Sequence, residues 1–519
     1  MHWFKPFSLF NSSLNFLLQN LFIITVFSTN FFGFQLNSET KSINKIIIWL
    51  EIMKKEHNYR IFLDINEIPK EWVNILPFLP GKITPLLSPI DCKPITPDIA
   101  FSIFPKECAI QEFSEEPLIP IPKELREIYA KTYRPTPLHR ALRLEKELNL
   151  NNDKIKIFYK NESVSPTGSH KPNTALAQAF YAQKDGVKEL VTETGAGQWG
   201  SALSFGCNLF NIKCSVYMVR ASYDQKPGRK VLMKAYGAKV FPSPSNLTET
   251  GKMFLTRDPN HPGSLGIAIS EALEHSMRDQ SIKYSLGSVV NFVCLHQTII
   301  GQETILQLNK AGIDAPDILI ACMGGGSNFT GFTLPFIKEK LNGKLSNLKI
   351  VGVEPRACPS VCKGEYRWDY GDSAKKAPVL KMHTLGHSFI PSPIHAGGLR
   401  YHGIAPIISN LFNHKIISVT MHHQTEVIKA GLIFAKTEGI LPAPESAHAI
   451  KEAIDQALIA KENDEKKVIV FNLSGHGYFD ISAFDEYLSG NLTDYELPSD
   501  EISKALNSPD MPKVDDIKL

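Results

Sequence analysis

The chain has 519 residues, 43% of them hydrophobic and 21% charged, with a formal net charge of +3. That length accommodates two or more cores, and so small a charge, without basic stripes or long like-charge blocks, excludes nucleic acid and polyanionic surfaces as main partners. Eight cysteines lie scattered with no Cys-x2-Cys pair, which argues against a disulfide scaffold or structural zinc and suits a reducing compartment.

Residues 16 to 34 form an almost continuous apolar and aromatic run. It reads as a signal peptide, an anchor or an organelle leader, yet Gln19, Asn20, Ser28, Thr29 and Asn30 interrupt it and no small-residue cleavage site follows. Met53, just before Lys54-Lys55-Glu56, is an alternative start. A cytoplasmic enzyme behind a leader of unknown or no function is the expectation. From residue 63 to 122 prolines recur, and the stretch reads as an irregular cover rather than a sheet.

After Arg134-Pro135-Thr136-Pro137-Leu138 strands and helices alternate. Residues 154–159, 213–219, 318–323, 348–353 and 468–473 read as buried strands, and 174–182 as a helix. The rhythm predicts an α/β protein with open, mostly parallel sheets covered by helices on both faces. Ligands in such folds bind beyond the strand C-termini, where three glycine-bearing loops fall. Beyond about residue 488, scattered Ser, Asp and Pro read as a loosely packed or disordered tail.

The first loop, Ser165-Pro166-Thr167-Gly168-Ser169-His170-Lys171-Pro172-Asn173, places a lysine at a helix start. That position disfavours ammonium, and partial desolvation lowers the pKa further toward the neutral amine a Schiff base requires. Alone, such a lysine is far more often a solvated surface residue than a catalyst, and the loops that follow are what shift that reading. Gly324-Gly325-Gly326-Ser327-Asn328 follows a strand and converges backbone N–H groups as a phosphate cradle does, although a ligand-free tight turn fits the same glycines. It matches neither the dinucleotide nor the Walker spacing. Glu193 precedes the small-residue loop Thr194-Gly195-Ala196-Gly197-Gln198-Trp199, where a carboxyl can shuttle a proton or simply cap a helix. Asn472-Leu473-Ser474-Gly475-His476-Gly477 presents a hydroxyl at the end of another strand. Glycosylation-type triplets at Asn328 and Asn472 fall inside these loops, where a glycan would not be tolerated.

The strings SPTGSHKPN, ETGAGQWGSAL, GGGSN, EGILPAPESAHA and NLSGHG, in this order, resemble the tryptophan synthase β chains, specifically the divergent second class marked by HAGGLRYHG at residues 395–403. The resemblance spans roughly residues 61–485 and implies the two-domain fold type II of pyridoxal-phosphate enzymes, with the active site between the domains. It implies a PLP-dependent lyase that joins indole to L-serine, or O-phosphoserine, through an aminoacrylate to give L-tryptophan. By it, Lys171 is the Schiff-base lysine and Glu193 the proton shuttle. His170, Gly324, Gly325, Gly326, Ser327 and Asn328 surround the cofactor phosphate with Ser264 as a further candidate, Ser474 faces the pyridine nitrogen, and Glu445 stands near the ring. Thr194, Gly195, Ala196, Gly197 and Gln198 hold the substrate carboxylate, with Trp199 and Arg400 beside the substrate. A neutral hydroxyl at the ring nitrogen tempers the electron sink and favours elimination over transamination.

The expected organisation is a leader or mis-assigned start at 1–52, a proline-rich cover at 53–133, a larger cofactor-binding domain at 134–169 and 281–485, a smaller mobile domain at 170–280, and a tail at 486–519. A homodimer is implied, and docking of an α subunit stays open. Two departures from the main class stand out: Trp199 replaces a histidine, and Arg400 replaces an acidic residue near the substrate side chain. Arg400 either accommodates an anionic leaving group such as phosphate or pairs with a local carboxylate. His383, His387, His395 and His402 lack the intervening glutamate of a zincin, so a catalytic metal is not expected, whereas a monovalent cation is, by resemblance alone and without a location. Alternatives are another fold type II enzyme (threonine synthase, cysteine synthase or serine dehydratase), which Glu193 in ETGAGQ opposes, and a non-catalytic scaffold subunit.

Overall fold

The computed structural model describes residues 59–225, 227–392 and 394–514, so the apolar leader lies outside the described residues. From Tyr59 onward the chain forms one compact unit built on two sheets. Long Val- and Ile-rich runs produce the larger one, because strands covered on both faces need apolar side chains on both. Its order is Arg60–Ile61, Leu138–Arg140, Ile155–Asn161, Lys467–Leu473, Ile318–Cys322, Lys349–Pro355 and Ser418–His422. The last five strands run parallel, and the two pairings at the leading edge are antiparallel, so that Leu138–Arg140 alone in this sheet runs against the rest.

The period of two along Ile318–Cys322 divides its side chains between two cores. Leu319 and Ala321 join Phe292, Phe329 and Phe332 on one face, while Ile318 and Ile320 join Phe434, Ile450 and Phe471 on the other. The smaller sheet is wholly parallel, in the order Lys239–Ser243, Lys213–Val219, Glu189–Thr194, Ile282–Tyr284. All five expected strands are present, four in the large sheet and Lys213–Val219 in the small one. The expected helix is Pro172–Lys184, opened by a proline whose missing N–H has no partner to lose there.

Two expectations are corrected. The proline-rich stretch is partly regular: Glu71–Val73 pairs with Leu118–Pro120, Pro97 opens a helix ending at Ile103, and Trp72 is fully buried with its ring 4.5 Å from that of His296. Pro97 falls at a helix start and Pro120 at a strand end, where they break no ladder. The C-terminal stretch also packs. The helix Ser499–Leu506 buries Ile502 and Leu506 with Leu497 against Leu385 and Phe389. Among the described residues no helix is long and apolar enough to cross a membrane.

Candidate active site

The turn before Lys171 is held by its own side chains: Ser165 Oγ donates to Ser169 O (2.6 Å) and accepts from Ser169 N (3.0 Å). Gly168 has φ +70°, and a Cβ there would lie 2.0 Å from His476 Nε2, so only glycine fits. Lys171 then caps the helix Pro172–Lys184 and turns Nζ toward Gly287 O at 3.0 Å. Withdrawal from water brings its pKa down to about 8, against the opposing charges of Glu193 and Glu445. The neutral amine anticipated from the helix start is therefore accessible, with burial as the main cause.

The strand Ile318–Cys322 ends in the three glycines, and Gly326 (φ +113°) opens the helix Ser327–Leu341. A Cβ on Gly324 would stand 2.3 Å from Gly398 O, and one on Gly325 2.4 Å from Ser288 Oγ. Free N–H groups of a helix start thus face a concavity with no side chain in the way. His170 Nε2 lies 3.1 Å from Ser327 Oγ while its Nδ1 has no partner, and burial, with Lys171 beside it, keeps the ring neutral. Asn328 lines the same concavity but ties its amide inward, donating to Cys322 O (3.0 Å) and accepting from Asn472 (2.6 Å).

Opposite the cradle, Ser474 ends the strand Lys467–Leu473, and Glu445 begins the helix Pro444–Glu462. Glu445 Oε1 accepts from Gln198 Nε2 (2.9 Å) and Gly398 N (2.7 Å), leaving Oε2 buried without a partner. One cavity gathers His170, Lys171, Gln198, the Gly324–Asn328 cradle, Glu445 and Ser474. An anion cradle, an amine and a neutral hydroxyl in one cavity fit a phosphorylated aromatic aldehyde such as pyridoxal phosphate.

Glu193 sits near the end of the strand Glu189–Thr194, accepts from the Tyr284 hydroxyl at 2.5 Å, and is pushed up to about 7 by burial. It lines an adjoining hollow whose other walls include Leu265, Leu286, Val289 and Tyr401, and Ser288 borders both spaces. A carboxyl able to hold or release a proton near neutrality thus faces an apolar compartment next to the lysine.

Other expected residues stand elsewhere. Ser264 caps the helix Leu265–Ser276, accepting from Ile267 N at 3.2 Å, and does not line the cradle. Trp199 is packed into the core over Gly287 with its indole N–H on Thr192 Oγ1 (2.6 Å). Thr194 Oγ1 accepts from Gly200 N, and Gly195 and Ala196 pack on Gly397, so of the carboxylate loop only Gln198 reaches the Lys171 cavity. Arg400 lines a separate hollow with Gly195, Gly263 and Ser264, bonded to Ser222 Oγ at 3.1 Å and unpaired with any carboxylate among the described residues. The four histidines do not converge: His387 bonds Asp369, His395 bonds Glu486, His402 bonds Tyr370 O, and His383 packs on Phe412. Ligating side chains do meet at His422, Glu452 and Asp455, where Gln456 and Lys451 already bond the two carboxylates.

Sequence reasoning missed Arg229, which lines the Lys171 cavity and is locked to Asp480 at 2.6 Å with both side chains buried, and Tyr284 beneath Glu193. Neither carries a local signal. Cys322, Gly398 and His476, also in the wall, lie in or beside the strings quoted above.

A family model described as pyridoxal-phosphate dependent enzyme matches residues 129–475. The tryptophan synthase beta chain 2 of Aquifex aeolicus is 56% identical over 84% of this chain and all of its own length. The tryptophan synthase beta chain of Pyrococcus horikoshii is 55% identical over 88% of this chain and 98% of its own. Among solved structures, threonine deaminase isoform 2 of Solanum lycopersicum covers 69% of this chain and 84% of its own at TM-score 0.51 and 16% identity. An L-serine ammonia-lyase of Rhizomucor miehei covers 69% and 98% at TM-score 0.50 and 17% identity, and both likenesses concern the fold.

Proposed function

The chain belongs to the tryptophan synthase β chains, within the pyridoxal-phosphate dependent enzymes, and from that premise we propose that Lys171, Glu193 and Ser474 carry out a β-replacement of L-serine by indole. The observation that carries this assignment is the pairing of a lysine near pKa 8 with a carboxyl near 7 across two joined spaces, one polar and cradle-bearing, the other apolar.

Pyridoxal phosphate, when bound, supplies the electron sink that stabilises negative charge at the substrate α-carbon. Lys171 Nζ would hold it covalently and, as a neutral amine, would take the substrate α-proton. The cradle N–H groups, Ser327 and neutral His170 hold the phosphate, and Glu445 fixes Gln198 and the segment at Gly398 around the ring. Gln198, with the backbone of 195–197, receives the substrate carboxylate. Glu193 gives its proton to the departing β-substituent, then accepts the proton that indole N–H loses as C3 attacks. The apolar walls around it exclude water, which would otherwise compete with indole for the β-carbon.

Arg400 bears on the choice of donor. A half-buried cation beside the substrate loop, with no carboxylate partner among the described residues, favours an anionic leaving group, so O-phosphoserine is a donor alongside serine. Residues 134–169 with 281–485 form the larger cofactor domain and 170–280 the smaller mobile one; three strands of the small sheet fall within 170–280, while its fourth, Ile282–Tyr284, lies just past that boundary. The assembly is a homodimer by family resemblance. Tryptophan formation from indole with serine, phosphoserine or threonine tests the whole assignment: turnover with serine supports it, and turnover that survives Lys171→Ala overturns it. An unchanged serine-to-phosphoserine preference in Arg400→Ala removes the role given to Arg400.

A further inference from the structure

Ser474 does not stand alone. Ser446, fully buried in the first turn of Pro444–Glu462, has Oγ 2.7 Å from Ser474 Oγ, and Cys322 has Sγ 3.7 Å from the same atom. A hydroxyl carries one hydrogen and two lone pairs, so each donation it makes excludes another.

Ser446 Oγ accepts from Gly475 N at 3.0 Å, leaving its one hydrogen for Ser474 Oγ at 2.7 Å or Gly475 O at 3.2 Å. The shorter contact has the preferred O–H···O length and the longer exceeds it. The lengths favour Ser446 as the donor to Ser474.

Cys322 Sγ receives Asn328 Nδ2 at 3.2 Å. That amide cannot turn over, because Nδ2 also faces the acceptor-only Cys322 O at 3.0 Å. With its sulfur accepting from Asn328, the thiol can direct its hydrogen at Ser474. With both lone pairs engaged, the hydrogen of Ser474 has only the cavity to aim at.

We propose that Ser446 and Cys322 are positioning residues that fix Ser474 as a hydrogen-bond donor into the cavity, so that it offers a proton to a ring nitrogen bearing a free lone pair. This rests on Ser474 facing the cofactor's ring nitrogen, as assigned above. A side chain locked as donor refuses a protonated ring, since two hydrogens would then face each other. The weaker electron sink of an unprotonated ring is in this way set by two side chains behind the serine.

The test uses the full-length holoenzyme loaded with pyridoxal phosphate 15N-labelled at the ring nitrogen, read by the nitrogen chemical shift, with cofactor dissociation measured separately by fluorescence titration. Ser474→Ala and Ser446→Ala move the resonance in the same direction, Ser446→Ala by less, and Ser446→Ala loosens the cofactor about fivefold, the worth of one net hydrogen bond. Cys322→Ala gives a smaller displacement, and Ser446→Thr, which keeps the hydroxyl, restores the wild-type resonance. If Ser474→Ala moves the signal while Ser446→Ala and Cys322→Ala leave it in place, the positioning role falls and the assignment of Ser474 stands. If Ser474→Ala leaves it in place, the assignment itself falls and takes the positioning role with it. Should Ser446→Ala not fold, Cys322→Ala and Ser446→Thr decide alone.

Discussion

The Tyr284 hydroxyl donates to Glu193 Oε2 at 2.5 Å, from one strand of the small sheet to its neighbour. Burial drives the Glu193 carboxyl up, and this bond, which favours the charged form, limits the rise to about 7. Tyr284→Phe is expected to carry the Glu193 inflection in the kcat/KM profile upward by about one pH unit, the worth of a hydrogen bond to a charged group. An inflection that stays in place would detach Tyr284 from the titration. Glu193→Gln should abolish the inflection altogether.

Lys171 captures the cofactor only as a neutral amine. With its pKa lowered to about 8, the rate at which apoprotein takes up pyridoxal phosphate covalently should rise with pH through about 8 and then level off. A rise continuing toward pH 10 would show a lysine that remains solvated. Lys171→Ala should lose the bound-cofactor absorbance band and at least about a thousandfold in tryptophan formation.

Gly324 meets backbone, which cannot swing aside. A Cβ there would stand 2.3 Å from Gly398 O, so Gly324→Ala should displace the 398 segment and narrow the cradle. The expected result is cofactor affinity weaker by at least about tenfold, in line with a local overpacking cost of about 1–3 kcal/mol. Equal cofactor affinity in wild type and variant would separate these glycines from phosphate binding.

Beneath the lysine lies a buried network: Arg134 pairs with Glu162 and Glu303, and Lys160 with Glu303, each at 2.7 Å. Arg134 Nε also donates to Asn173 Oδ1 at 2.8 Å, steadying the first turn of the Lys171 helix. Glu303→Ala would leave two cations facing one carboxylate and should lower stability by about 3–5 kcal/mol in urea denaturation. Burial works to raise the Glu303 carboxyl, but Arg134 and Lys160 overcome it and hold it below its usual value. A carboxyl depressed in the folded state adds stability that is complete above its unfolded pKa, about 4.3, and disappears as pH falls through the folded value. The wild-type urea midpoint should therefore drop steeply below about pH 4, and that of Glu303→Gln less steeply.

Much of this molecule is legible before any coordinates. The buried strands announce themselves as unbroken Ile and Val runs, and Lys171, Gly324 and Ser474 stand out because each closes such a run with a turn whose chemistry is local. Strands as short as Ile282–Tyr284, or edge strands such as Ser418–His422 with half-buried side chains, leave no comparable pattern and went unread. Nor is it legible in the sequence that the Ser264 hydroxyl serves its own helix end, or that the Trp199 ring packs into the core with its centroid 5.9 Å from Lys171 Nζ.

Backbone geometry and residue type near each strand end are written in consecutive residues, so the lysine turn, the glycine cradle and the parallel α/β plan could be derived from order alone. The partners that tune them come from distant parts of the chain: Tyr284 is 91 residues from Glu193, Ser446 is 28 from Ser474, and Glu303 is 143 from Lys160. Burial and these long-range contacts set the protonation of Lys171 and Glu193 and the direction of the Ser474 hydroxyl. No local pattern encodes them, because desolvation and hydrogen-bond polarity exist only once the sheets have closed around the site.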